Sequence, residues 1–486
     1  MEDTTNLEQS TELYIGALAQ TILDDVASYE KLQDKMPKVL AYIIELRMDV
    51  KFILMDLSTS YIAIYKSKVP YASRYHMKNL NAGINEAYKL LFNYGKSQRH
   101  AIWKKIGEIM NENPICEWEE SASLFVEYKL ITEQLANMAG NETDKQHRDL
   151  TYHYNEDMNL VYKYTVAECN IETISTKFIN FMEILKNILN LCDKIETRLK
   201  NKGIKTIVDV KTSSIDDNIH LSLIQCLNQI EDLSKTLDII LQDVQPIDDY
   251  VQHLDRFNKL KCIAEQVEMP ELDNVFTMLN LHLTVLFMRT DIAAISKALL
   301  LSKTNGEAML NMRRYVITIT AAFGHLYGYT EIERTKSIWT SILNVIPNDN
   351  KKLQKEAQRI GDLLNKVVQK NDNNLRTNYV HLFDNQTHKT NIPIIINLLR
   401  TQDPISEMQK VNIILIITKE IMEFVYNVIE ELAKEAYESN KVSTIELQRK
   451  MREIKDFAKR TDCPTMVKNK LIEMLDKIQS YLKIEV

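Results

Sequence analysis

Glycine and proline are scarce in this chain, at 10 and 9 of 486 residues. Together they make about 4% of the chain, against roughly 12% in average usage. Strand-rich and α/β folds draw on glycine for tight turns and phosphate loops, so a chain this poor in it is built most easily from helices joined by polar turns. The patterns GxxxxGK[ST], GxGxxG and GxSxG are all missing, which leaves nucleotide hydrolysis and serine-hydrolase chemistry without a sequence basis. A basic excess is missing too. The formal charge is −7 and the pI about 5.9, which argues against a broad nucleic-acid-binding surface while leaving room for a small local phosphate site.

The six cysteines (Cys116, Cys169, Cys192, Cys226, Cys262 and Cys463) form no CxxC and no zinc spacing. That distribution reads as reduced, mostly buried thiols in a cytoplasm. No HExxH occurs among the scattered histidines, and no metal or other cofactor is expected. No apolar run approaches the roughly 18 residues that span a bilayer, and the acidic start Met1-Glu-Asp-Thr-Thr is unlike a signal peptide. A cytoplasmic protein with no membrane association is the expectation.

What is present suits a folded all-α protein: 45% hydrophobic and 26% charged residues, in a chain long enough for two or three domains. Apolar positions at helical spacing begin with Ile15, Leu18 and Ile22. The spacing predicts a pair of helices over 11–46, continuation to Lys66, and a break at Pro70. Further helices are predicted near 77–94, from Trp103 to about Asn111, over 119–138 and over 173–200. The β-branched patch at 204–210 reads as an extended connector. Two charged amphipathic helices, broken at Thr461-Asp-Cys-Pro464, make up the tail.

Landmarks of the first half return in the second, in the same order. Leu46, Val50, Phe52 and Asp56 match Leu281, Val285, Phe287 and Asp291, an offset of 285 − 50 = 235. Tyr94-Gly95 matches Tyr327-Gly328 at 233, and Trp103-x-x-Ile106 matches Trp339-x-x-Ile342 at 236. A shorter element repeats with them: Arg148, four residues, His153, and again Arg376, four residues, His381, an offset of 376 − 148 = 228. A tandem duplication follows, with copy 1 at 1–205, a linker and copy 2 at 206–440, and a C-terminal helical tail at 441–486.

The repeated pair is chemically pointed. Arginine carries a permanent charge in a planar fork that fits phosphate oxygens, and histidine titrates near neutral pH. Together they suffice to cleave a phosphodiester without a metal, and only RNA carries its own 2′-hydroxyl nucleophile. Residues five apart on a regular helix point about 140° away from each other. Arg148 and His153 can therefore serve one ligand only near a helix end, at a bend, or facing a second copy of the motif, and two copies in one chain supply the second. Tyr152, Tyr154 and Tyr379 could stack on bases, although tyrosines at such spacing more commonly pack. The plain structural alternative for Arg148 and His153 is an ion-pair network with Asp149, Glu156 and Asp157.

The motif in its all-helical setting resembles the HEPN superfamily, whose hallmark is R-x(4–6)-H with a polar residue following the arginine. Arg148-Asp149-x-x-x-His153 fits that pattern. Arg376-Thr377-Asn378-x-x-His381 fits the spacing, with threonine in the polar place and Asn378 one position later. The resemblance implies a metal-independent endoribonuclease acting at a dimer interface, with Arg148, His153, Arg376 and His381 catalytic and Asp149, Tyr154 and Asn378 positioning RNA. It further implies a toxin–antitoxin or antiphage setting, a regulatory or antitoxin protein partner, and a capacity for homo-oligomers. A family tyrosine just after the histidine is similar to Tyr154, but Leu382 stands there in the second copy. Some family members are non-catalytic binding modules, so a helical scaffold for protein partners is the second expectation.

Overall fold

A computed structural model describes residues 2–32, 37–67, 69–92, 102–111, 121–138, 170–201, 231–242, 272–347, 349–367, 390–402 and 404–440, with a few isolated positions besides. The described residues are helical, with no strand among them, as the shortage of glycine predicts. The helices are α1 (Glu2–Leu32), α2 (Lys38–Lys66), α3 (Pro70–Leu91), α4 (Ile102–Asn111), α5 (Ser121–Asn137) and α6 (Ile171–Asn201). They continue with α7 (Glu231–Gln242), α8 (Leu272–Leu300), α9 (Asn305–Leu326), α10 (Glu331–Arg334) and α11 (Ile338–Leu343). The last are α12 (Lys351–Val367), α13 (Ile392–Thr401) and α14 (Pro404–Asn440). None of these helices is long and apolar enough to cross a membrane.

Local chemistry sets several boundaries. Pro70, expected as a break, opens α3 from its first turn, where the missing N–H has no helical partner to lose. Thr304 caps α9 in a reciprocal capping box with Glu307, and Thr330 with Glu333 does the same for α10. Gly328 follows α9 with φ +81, the left-handed turn that favours glycine. A Cβ at Gly306 would lie 2.9 Å from Ile15 Cγ2, so the glycine lets the start of α9 press against α1. The proposed connector at 204–210 and most of the tail lie outside the described residues.

α2 and α8 are the central elements. Each has 29 residues, and each is buried around nearly its whole circumference, the condition of a helix packed on all sides. α2 packs against α1, α3, α4 and α6, and α8 against α7, α9, α11 and α14. α3 and α9 have 22 residues each, and α5 and α12 have 17 each. α5 packs on α6 and α12 on α14. Between the two sets, α2 touches α9, α3 touches α8, and α1 touches α9. One contiguous apolar core runs through both sets, from Ile15 to Leu432.

Candidate functional site

All seven residues named from the sequence (Arg148, Asp149, His153, Tyr154, Arg376, Asn378 and His381) lie outside the described residues, as do His147, Tyr152 and Tyr379. The helices on either side of them are described. Glu127 pairs with Lys194 at 2.6 Å, while Gln134 accepts a hydrogen bond from Asn187, so α5 and α6 run antiparallel. Asn350 donates to Glu431, while Arg359 pairs with Glu420 at 2.9 Å, so α12 and α14 do likewise. In sequence, the first motif lies between α5 and α6. The second falls between α12 and the short α13 that precedes α14.

The contacts between the two sets of helices are ionic as well as apolar. Asp56 of α2 accepts hydrogen bonds from Arg313 at 3.2 Å and Arg314 at 2.8 Å, both on α9, and Arg314 also donates to the Asp56 carbonyl. Asp291 of α8 accepts from Lys78 at 2.6 Å and from the Tyr71 hydroxyl at 3.1 Å, both on α3. Asp56 and Asp291 are the aspartates matched from sequence at offset 235, and Lys78 and Arg313 differ by the same 235. The second helix of each set is thus bound by the third helix of the other through equivalent positions. A second buried network lies within the first set. Arg47 forms a two-pronged bond to Asp25, at 3.2 and 2.7 Å, and a short bond to Glu196, tying α1 and α6 to α2.

Where the sets meet, a cavity of about 220 Å³ opens. Most of its lining follows the same offset. Thr59, Ile62, Ala63 and Lys66 of α2 correspond in sequence to Ala294, Lys297, Ala298 and Leu301 of α8, and Ala72 and His76 of α3 to Glu307 and Asn311 of α9, and all twelve line the cavity. Each of these six pairs is separated by 235 positions, as in 311 − 76 = 235. The charges on the lining are already neutralised. Lys66 bonds Glu307 at 2.5 Å and Glu12 at 2.7 Å, and Lys297 bonds Asp238 at 2.9 Å. Burial opposes the charge on Lys66, but Glu307 and Glu12 more than offset it and hold its pKa above the usual value.

His76 is 2% exposed. Its Nδ1 has no hydrogen-bond partner among the described residues, and neither has Asn311 Oδ1. Asn311 is held by its amide nitrogen, which donates to the Ala298 carbonyl and to Ser302 Oγ at 2.9 Å. Burial, aided by the cationic Arg314, pushes the His76 pKa down to about 3, so the imidazole is neutral at physiological pH. The sequence pattern alone gave neither His76 nor Asn311 a functional role. The signal that could have found both was the 235-residue offset already visible in the aspartates. No family model, curated protein or solved structure matches this chain. Among the described residues, no group of three or more His, Cys, Asp or Glu is placed to hold a metal ion.

Proposed function

We propose that the chain is a tandem of two HEPN-like helical domains, at 1–205 and 206–440, held as an internal pseudo-dimer, and that it is a metal-independent endoribonuclease. The observation that carries the proposal is the reciprocity of the packing. Asp56 is bound by α9 while Asp291 is bound by α3, at positions one repeat apart. Crossed contacts between equivalent elements are those of a twofold dimer written into one chain. In sequence, each Arg/His motif follows the first helix of a matched antiparallel pair, α5 before α6 and α12 before α14, which supports one composite site served by both copies.

In that site His153 or His381 takes the proton from a ribose 2′-hydroxyl as the 2′-oxygen attacks the adjacent phosphorus. The other histidine delivers a proton to the departing 5′-oxygen, leaving a 2′,3′-cyclic phosphate and a 5′-hydroxyl. Arg148 and Arg376 bind the phosphate oxygens as charge builds there. Asp149, Tyr154 and Asn378 position the RNA. Such an activity harms its own cell, so the protein is a toxin or antiphage effector in the cytoplasm, restrained by a separate regulatory protein or by a change of oligomeric state.

The test is induced expression of wild type, His153→Ala, His381→Ala and the double variant, with growth and total RNA followed together. Growth arrest with RNA fragmentation, lost in either single variant, is the expected result for a composite site. Loss with His153→Ala alone makes the second copy a structural partner. Intact RNA after incubation with the purified protein and its natural partner would refute the nuclease and assign the chain to a non-catalytic helical scaffold.

A further inference from the structure

Asp49 of α2 is buried, at 1% exposure, and no cation among the described residues is bonded to it. Its Oδ1 accepts a hydrogen bond from Thr390 Oγ1 at 2.5 Å, and its Oδ2 has no hydrogen-bond partner among the described residues. The other buried carboxylates are balanced: Asp25 and Glu196 share Arg47, and Asp291 has Lys78. One turn before Asp49 on the same face of α2 stands Glu45, which is 7% exposed and accepts from the Tyr29 hydroxyl of α1. Two acidic groups one turn apart and out of water cannot both ionise without a large cost, so this is the setting of a carboxyl that keeps its proton.

The same carboxyl holds the start of α13. Thr390 Oγ1 accepts from the Ile392 N–H at 3.2 Å while it donates to Asp49, and the Asn391 side chain makes no cap bond, so Asp49 serves the first turn of α13 through the Thr390 hydroxyl. With ten residues, α13 is too short to persist by itself. It is kept by its seat on α1, α2 and α9, where Ile392, Ile395, Ile396 and Leu399 are buried. The charged groups of the surrounding helices are engaged elsewhere. On α2, Arg47 and Lys51 bond Asp25 of α1, and Glu30 of α1 accepts from Asn397 of α13. On α9, Arg313 and Arg314 bond Asp56 and Glu307 bonds Lys66. On α3 and α6, Lys78 bonds Asp291 and Glu196 bonds Arg47, while Lys104 and Glu108 of α4 and Arg400 of α13 are exposed.

We infer that Asp49 is a proton-operated latch for α13: the helix is closed over the neutral carboxyl, and loss of the proton opens α13 locally so that water reaches the carboxylate. Opening one short helix costs less than unfolding the core around α2, so α13 is the element that yields. The sign follows from linkage. Burial first and Glu45 second hold the closed carboxyl well above the usual range, against the Thr390 bond, whereas an opened α13 returns it to that range. The closed form therefore binds the extra proton, and rising pH favours the open form by about ten-fold per unit until the closed carboxyl itself ionises.

The experiment is hydrogen exchange of the full chain read by mass spectrometry between about pH 5 and pH 8, with each rate divided by its intrinsic value at that pH. The opening constant of the α13 amides should rise by at least about ten-fold across the range, while amides in the middle of α2 and α8 change far less. Asp49→Asn keeps the shape of the side chain and cannot ionise, so its α13 profile should be flat. Thr390→Val removes the hydroxyl and leaves the carboxyl, so α13 should open more at every pH with the slope retained. Circular dichroism establishes that each variant is folded. A flat α13 profile in wild type would overturn the inference, as would the wild-type slope in folded Asp49→Asn, or an equal rise in α2 and α8, which would make the opening global. No outcome depends on RNA cleavage, so failure here leaves the nuclease proposal standing, and the reverse.

Discussion

Replacing Asp291 with asparagine removes one carboxylate from the junction of α3 and α8 and leaves its partner stranded. The Lys78 ammonium sits 2.6 Å from Asp291, with side-chain exposures of 10% and 3% respectively, so water cannot take over the solvation of the cation. Breaking one partner of a buried pair costs about 3–5 kcal/mol, most of it the penalty of the uncompensated charge. Asparagine can still accept from the Tyr71 hydroxyl, so Asp291→Asn should fall near the lower end of that range, about 3 kcal/mol. At Asp56 the side chain is 17% exposed and solvent screens part of the loss, so Asp56→Asn should cost less, on the order of 2 kcal/mol. Pairing Asp291→Asn with Lys78→Met removes the stranded charge and should recover most of the loss, because an apolar replacement for a buried pair is often near neutral. Urea unfolding followed by circular dichroism gives the four free energies of the cycle. A cost below about 1 kcal/mol for Asp291→Asn, or strictly additive losses in the double variant, would refute the account of a tight, desolvated ion pair.

Three further outcomes follow from buried groups and backbone. The folded His76 imidazole resists protonation down to about pH 3, whereas an unfolded one binds a proton below about 6.5. Protons therefore favour the unfolded chain: this contribution to stability is complete above pH 6.5 and shrinks as pH falls toward 3, by about 1.4 kcal/mol per unit. His76→Phe should flatten that part of the profile, and an unchanged acid slope would count against it. Burial raises the Asp49 carboxyl well above the usual range, with the nearby Glu45 adding to the shift and a hydrogen bond from Thr390 opposing it. A raised folded pKa favours the native state at low pH and is lost as pH rises past the unfolded value, so Asp49→Asn should match or exceed wild type in thermal midpoint at pH 8. A clear drop there would show that the ionised carboxylate is needed. Gly328 has φ +81, and a Cβ there would come within 2.6 Å of the Arg334 nitrogen, so Gly328→Ala should lower stability by at least about 1 kcal/mol in urea unfolding, and a neutral result would contradict the tight turn.

The helical class was legible because it depends on composition and local spacing, and the bounds of α5 and α6 fall within about two residues of expectation. The landmarks Leu46, Val50 and Phe52 and their second-half matches were legible too, since core positions on a long helix keep their apolar character. What the matched aspartates do was not legible. Asp56 and Asp291 look like ordinary polar positions until partners 257 and 213 residues away are known, and nothing local marks Lys78 or Arg313 as those partners. Asp49 likewise reads as part of a solvated face beside Glu45 and Arg47, yet all three are buried because α2 is covered on every side. The cavity escaped notice for a related reason. His76 and Asn311 are different residue types, so a search for identical landmarks passes over them, and only the offset joins them.

That mismatch has a consequence of its own. A pocket on a true twofold axis shows each wall twice, and an occupant without matching symmetry can sit in it two equivalent ways. Here the residues one offset apart that line the cavity are unlike: His76 and Asn311, Lys66 and Leu301, Ala72 and Glu307. A bound molecule would therefore have a head and a tail, and turning it end over end would exchange its neighbours for unlike ones. Two halves of one continuous chain are free to become unlike in this way, whereas two identical subunits are not.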